Sequence, residues 1–210
     1  MFWETITIGH PLKFDLNCAR QYENLGLSWY LNAGSQDCAV ALVDNEAVGY
    51  CLVCTDAESF ERSQKKLLAR LSICGLFVLL TGRINSESRR FYWYRLRDSV
   101  SIMRTRKHLP TDVHMHAHLN IHYSRHDGSI SRRLRDHADA VCKAHGASAY
   151  FGEMNAVGGK RIVSLRRVAG EVVSDSTNHT FSWLTGQDIH RLTLIRFLEE
   201  PVTQPEKQAA

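Results

Sequence analysis

The sequence predicts an α/β fold: a mixed, mostly antiparallel central sheet flanked by helices, with a helical insertion before the central strand. Three observations carry that expectation. Apolar runs of strand length recur along the chain, as in residues 38–43 (CAVALV), 47–54 and 190–198. From Ser129 the period changes, and Ile130, Leu134, Ala138, Val141 and His145 recur at helical spacing while Arg132, Arg133, Asp136, Asp139 and Lys143 face elsewhere. The second half then reads strand, turn, helix, strand, helix and a terminal antiparallel pair, the order of an α/β domain with a mixed sheet.

Taken in order, residues 38–43 read as a buried strand, Asp44-Asn45-Glu46 as a turn and 47–54 as the returning strand of a hairpin. Residues 59–73 have helical spacing, with Phe60, Leu67, Leu68 and Leu71 as apolar positions. Residues 74–112 read as helices and loops containing the cluster Phe91-Tyr92-Trp93-Tyr94, which suits core packing better than base stacking. Residues 116–122 form a strand and 123–128 a turn. The helix that opens at Ser129 stops at Gly146, since glycine takes the left-handed conformation that closes a helix. Residues 148–154 are a strand, 157–159 a loop and 160–168 a short helix closed by Gly170. Residues 171–174, 180–184 and 190–198 read as strands, and the polar tail 201–210 as disordered. The expected organisation is one domain over 1–200, with a basic helical insertion at 56–112 and a ligand-binding half at 113–198.

At 210 residues, 44% hydrophobic and 23% charged, the chain is long enough to bury a core unaided. Its first residues, MFWETITIGH, lack the basic start and apolar stretch of a secretory signal, and the longest apolar run, 73–80, is too short to span a bilayer. The expected home is the cytoplasm. Six cysteines do not suggest a disulfide framework, and Cys51 and Cys54, an i, i+3 pair on a strand, read as core thiols. Charge is uneven: between Glu61 and Pro110 twelve basic residues face three acidic ones, a net +9. Such a stretch favours anionic partners or forms the solvated faces of helices.

The informative stretch is 119–173. A strand ending in a Gly/Ser-bearing turn that opens a helix offers unpaired backbone N–H groups and a positive helix end to an anion. Leu119-Asn120-Ile121-His122, then His126-Asp127-Gly128-Ser129-Ile130-Ser131-Arg132-Arg133-Leu134, His145-Gly146-Ala147 and Arg166-Arg167-Val168-Ala169-Gly170-Glu171-Val172-Val173 follow one another in this order. In that order and spacing the chain resembles the GNAT superfamily of acetyl-coenzyme A-dependent acyltransferases. Glu46-Ala47-Val48-Gly49-Tyr50 is similar to the family's second hairpin. The family's Q/R-x-x-G-x-G/A falls on His126-x-x-Ser129-x-Ser131, a register chosen because it keeps Ile130 and Leu134 on the buried face.

The resemblance implies direct acyl transfer from acetyl-coenzyme A, or another acyl-coenzyme A, to an amine in a ternary complex. The coenzyme arm would lie in the V between strands 119–122 and 149–155, bound by Leu119, Asn120, Ile121, His126, Asp127, Gly128, Ser129, Ile130 and Ser131. A backbone N–H near Ile121 would polarise the thioester carbonyl. His116, His118, His122 and Glu153 are the candidate bases, with His118 and Glu153 the catalytic pair to mutate first. Two positions depart from the family: Gly158 replaces its asparagine, and Leu165 replaces the tyrosine that protonates the leaving thiolate. Either water or another group supplies that proton, or the fold is an inactive GNAT-like module that binds a ligand or partner.

His114, His116, His118 and His122 share one strand parity, and H-x-H on a strand can chelate zinc. No acidic or cysteine ligand stands at a fixed offset, so no metal is assigned. The expected partners are an acyl-coenzyme A and a small-molecule or protein amine. No membrane or nucleic-acid partner is expected, and a homodimer is left open.

Overall fold

The structure, a computed structural model, describes residues 2–8, 10–106, 109–122, 124, 128–158 and 170–198. A short helix, α1 (Phe2–Thr5), and a longer one, α2 (Ala19–Leu31), lead into the hairpin β1 (Ala39–Val43) and β2 (Glu46–Cys54). Asp44 and Asn45 form its two-residue turn at φ 53° and 64°, the left-handed pair that matches strand twist. Two helices follow, α3 (Ala57–Leu80) and α4 (Ser86–Arg106). Then come β3 (His116–Ile121), α5 (Gly128–Ala144), β4 (Ala149–Val157), β5 (Glu171–Thr177), α6 (His179–Thr185) and β6 (Ile189–Phe197).

The six strands form one sheet in the order β1-β2-β3-β4-β6-β5. All neighbours are antiparallel except β3 and β4, which run parallel. The mixed, mostly antiparallel sheet expected from the sequence is therefore the architecture observed. On one face lies α5, whose Ile130, Leu134, Ala138 and Cys142 step along one side and pack on Val48, Cys51, Val53, Ala117 and Tyr150. Each large apolar side chain buried this way contributes about 1.5–3 kcal/mol. Gly146, at φ +76°, ends the helix as expected. On the other face α2 sets Trp29 and Tyr30 against Tyr50, Leu52 and Cys54.

Several boundaries differ from the sequence reading. The helix expected over 59–73 runs on to Leu80, so the apolar run 73–80 belongs to it. Asp56 caps its start by accepting from the Ser59 N–H (2.9 Å). Strands β4 and β5 extend to Val157 and Thr177. Residues 180–184, expected as a strand, lie in helix α6. Asn178 caps that helix through the Phe181 N–H (3.1 Å), and the buried Asp98 carboxylate receives the N–H groups of His179 and Thr180 (3.0 Å each). These acceptors override the strand propensity of Thr-Phe-Ser-Trp-Leu. The terminal antiparallel pair is thus β5 with β6. Cys18 and Cys74 form a disulfide the sequence reading did not anticipate, while Cys51 and Cys54 are buried free thiols, as expected. The helix expected at 160–168 and the tail 201–210 lie outside the described residues.

Candidate active site where two parallel strands part

Strands β3 and β4 pair at two positions, His116↔Phe151 and Ala117↔Gly152. Both strands run on. β2 holds β3 as far as Gly49↔Ile121, and β6 holds β4 as far as Val157↔Ile189. Past Ala117 and Gly152 the two inner edges share no ladder, so a wedge opens in the middle of the sheet. The His122 N–H donates to Val48 O (2.9 Å) and the Phe151 N–H to Met115 O (3.0 Å). Strand alternation then directs the N–H groups of Leu119, Ile121 and Asn155 into the wedge. The Ile121 N–H donates to its neighbour Asn120 Oδ1 at 3.1 Å, which leaves Leu119 as the β3 donor aimed across the gap.

At the open end of the wedge α5 begins. Ile130 is buried against the sheet while Gly128, Ser129 and Ser131 are exposed, which satisfies the reason for the chosen register. His126 and Asp127 lie outside the described residues, as does Leu165. Gly158 is described. Its N–H donates to Asp188 O (3.0 Å), and a Cβ there would stand 3.3 Å from Asp188 Oδ2.

The four candidate bases separate cleanly. His116 shares a hydrogen bond with the Tyr30 hydroxyl (2.8 Å) and its ring lies among Phe60 and Phe151 at 4.8 and 5.2 Å, so it is a packing residue. The His122 Nδ1 is engaged by the Ser124 hydroxyl (2.8 Å). His118 and Glu153 stand two residues beyond the facing pair His116 and Phe151, and alternation places both on the same face of the sheet, one on each side of the wedge. His118 is exposed to solvent at its surface, while the protein packed around the ring partly withdraws it from water. That burial depresses its imidazole pKa below the ordinary value, and the Glu153 charge opposes the shift.

Three residues that the sequence reading missed shape this face. Arg191 on β6 is buried, and its Nε lies 3.7 Å from Glu153 Oε2, while its Nη1 has no hydrogen-bond partner. Burial pulls the guanidinium below its usual pKa, and the Glu153 charge raises it again. Tyr50 and Thr5 fasten Asn120: its Nδ2 donates to Thr5 Oγ1 (2.8 Å) and to the Tyr50 hydroxyl (3.2 Å). Arg191, one of two arginines within the otherwise largely apolar β6, was the one available signal. Two shallow hollows lie elsewhere, one of ≈ 300 Å³ beside Arg104 and Ser174 and one of ≈ 500 Å³ beside Ser28 and Arg62. Among the described residues no group of three or more His, Cys, Asp or Glu side chains is placed to hold a metal ion.

No family model matches the chain, and no curated protein matches it significantly in sequence. Among solved structures it is similar to a polyamine N-acetyltransferase from Drosophila melanogaster that forms N-acetylagmatine. That likeness has 12% identity over 92% of this chain and 87% of the other, with a TM-score of 0.45. An agmatine N-acetyltransferase variant in its apo form is similar at 13% identity, over 92% of this chain and 88% of its own, with a TM-score of 0.43. At such identities and scores neither likeness decides the chemistry.

Proposed function

We propose that this protein is a GNAT-type N-acyltransferase that moves an acyl group from coenzyme A, acetyl in the first instance, to an amine. The observation that carries the reading is the parallel ladder that ends after two pairs while both strands continue. An amide-bearing pantetheine arm can pair with the exposed edges of such a wedge, and its pyrophosphate then reaches the start of α5 around Ser129 and Ser131. The Leu119 N–H, aimed into the gap, is the donor for the thioester oxygen as negative charge develops on it.

Transfer is direct. The amine nitrogen attacks the thioester carbon, the C–N bond forms, the C–S bond breaks and the thiolate departs. His118 takes the proton from the attacking nitrogen, because its depressed pKa keeps the ring neutral and ready to accept near pH 7. Glu153, paired with Arg191, presents its carboxylate to the neutral amine as it enters the wedge. A thiolate leaves more readily than an alkoxide, since thiols titrate near about 8.5, so protonation by water suffices where the family's tyrosine is replaced by Leu165. The acceptor in this reading is an amine on a small molecule or on a protein.

The test is thiol release from acetyl-coenzyme A across a panel of amines. Turnover that falls about a hundred- to ten-thousandfold in a folded His118→Ala variant supports the assignment. Coenzyme binding without any turnover would identify an inert binding module instead.

A further inference from the structure

The two helices between β2 and β3 carry a surface that the cleft does not use. Leu67 is the last buried residue of α3. Beyond it Ile73, Leu76, Phe77, Leu79 and Leu80 are 69%, 55%, 56%, 52% and 76% exposed. Residues 71–82 contain no charge, and a Cβ added at Gly75 or Gly82 would meet nothing within 4 Å. On α4 the inner side buries Ser88, Phe91 and Asp98, while Trp93, Leu96, Val100 and Met103, at steps of three, four and three, form an outer stripe 65%, 62%, 41% and 59% exposed. Each helix thus turns a run of large apolar side chains to water, and exposed apolar faces of this kind mark interaction sites.

Charge identifies what covers it. Lys65, Lys66 and Arg70 precede the uncharged segment, and Arg83 and Arg89 follow it. Arg97 and Arg104 stand exposed beside the α4 stripe, seven residues apart and therefore on one side. A second copy of the same face would set cation against cation. Exposed apolar side chains flanked along each helix by arginine and lysine match the boundary of an anionic bilayer, where headgroups meet the cations and the apolar groups enter the acyl edge. We infer that the outer half of α3 with the outer face of α4 docks the protein on an anionic phospholipid surface.

The base of this element is firm. The Cys18–Cys74 disulfide ties α3 to the start of α2 just before Leu76. The turn between α3 and α4 is pinned where Asn85 N–H donates to Asn17 Oδ1 (2.9 Å), the Asn17 N–H to Ser88 Oγ (2.8 Å) and the Tyr92 hydroxyl to Asn17 O (2.6 Å). Ten helical residues from Leu71 to Leu80 reach about 15 Å, half of a hydrocarbon core about 30 Å thick. Among the described residues no helix is long and apolar enough to cross a membrane, so the proposed contact is with one leaflet.

The experiment is co-sedimentation of the full chain with vesicles of phosphatidylcholine alone and of phosphatidylcholine mixed with phosphatidylglycerol. Binding to the mixed vesicles only, weakening as salt rises, is the expected result. Leu76→Asp with Leu80→Asp should weaken it at least tenfold, and Arg97→Glu with Arg104→Glu by about fivefold or more for each charge. Brominated acyl chains should quench tryptophan emission, and Trp93→Phe should remove most of the quenched signal. Circular dichroism and thermal unfolding confirm that each variant is folded, as exposed positions predict. No binding to the mixed vesicles at low salt overturns the inference, as does undiminished binding by a folded double Leu variant. Sedimentation as a dimer that Leu76→Asp with Leu80→Asp converts to monomer overturns it too, by assigning the face to a second copy.

Discussion

His118 and Glu153 face each other across the wedge with opposite effects on one proton, and that gives a signed prediction. Burial lowers the His118 pKa below its ordinary 6.5, and the Glu153 charge pulls it up again. Below the folded pKa the ring is an imidazolium and cannot take a proton from the amine, so kcat/KM should rise with pH through a pKa under 6.5 and then level off. Glu153→Gln removes the raising influence, so the acid limb should move to still lower pH. A limb that moves upward, or one that survives in His118→Ala, would show that another group is the base. Stability carries the same sign: the unfolded chain binds this proton more readily, so the His118 contribution declines as pH drops from 6.5 towards the folded value. At this scale the sequence was only partly legible. The H-x-H parity grouped His116 with His118, and nothing local separates them. The separation comes from Tyr30, 86 residues away, which claims His116.

Helix α6 shows how an element can be decided by a residue remote from it. Asp98, on α4, is fully buried. Its carboxylate accepts from the N–H groups of His179 and Thr180, the Thr180 hydroxyl (2.6 Å) and the His179 ring (2.9 Å). Burial would raise its pKa, but these bonds together outweigh burial and hold it below the usual 3.8. Its contribution is therefore present above 3.8 and lost as pH falls through the depressed folded value. Asp98→Ala strips the first turn of α6 of its acceptor and should cost about 3 kcal/mol in denaturant unfolding, with Asp98→Asn intermediate. An unchanged midpoint in Asp98→Ala would refute the linkage. Five residues of strand-like propensity concealed this helix: its adjacent cap, Asn178, reads as a loop residue, and the second acceptor of its first turn, Asp98, lies 81 positions upstream. The α5 helix was legible for the opposite reason, since its apolar period, its start and its closing glycine are all local. Its N-terminus yields a second prediction: replacing Ser129 and Ser131 together with leucine crowds the backbone that we propose meets the pyrophosphate. Calorimetry should show coenzyme A bound at least tenfold more weakly, and unaltered affinity would remove the pyrophosphate from this turn.

The order of the elements, strand, helix, strand and an antiparallel return, was enough to foresee the sheet, because each step rests on a period of two or of 3.6 residues. The parting of β3 from β4 was not visible that way. It is a relation between strands whose facing residues, His116 and Phe151, lie on either side of a helix. The same limit hid the covalent tie between Cys18 and Cys74, separated by 56 residues, which joins the start of α2 to the middle of α3. Closing a loop of that length removes entropy from the unfolded chain worth about 4 kcal/mol in the chain-entropy model. Strain and residual structure reduce such figures, so a loss of about 2–4 kcal/mol is expected on reduction or in Cys18→Ser with Cys74→Ser. Thiols in a reducing cytoplasm stay unpaired, so the bond also bears on where the protein works. Protein isolated without reductant should show four free thiols, Cys38, Cys51, Cys54 and Cys142, and a peptide linking Cys18 to Cys74. Three of the four are buried, so they should react only after unfolding, with Cys38 first. The loss of stability should appear as a lower denaturant midpoint with a steeper slope, because the uncrosslinked unfolded chain exposes more surface. The proposed acyl transfer should stay intact in the reduced protein below that midpoint, because neither cysteine lies on the strands that bound the wedge. Six free thiols in the isolated protein, or a midpoint indifferent to reduction, would show that α3 is held by its packing on α2 alone.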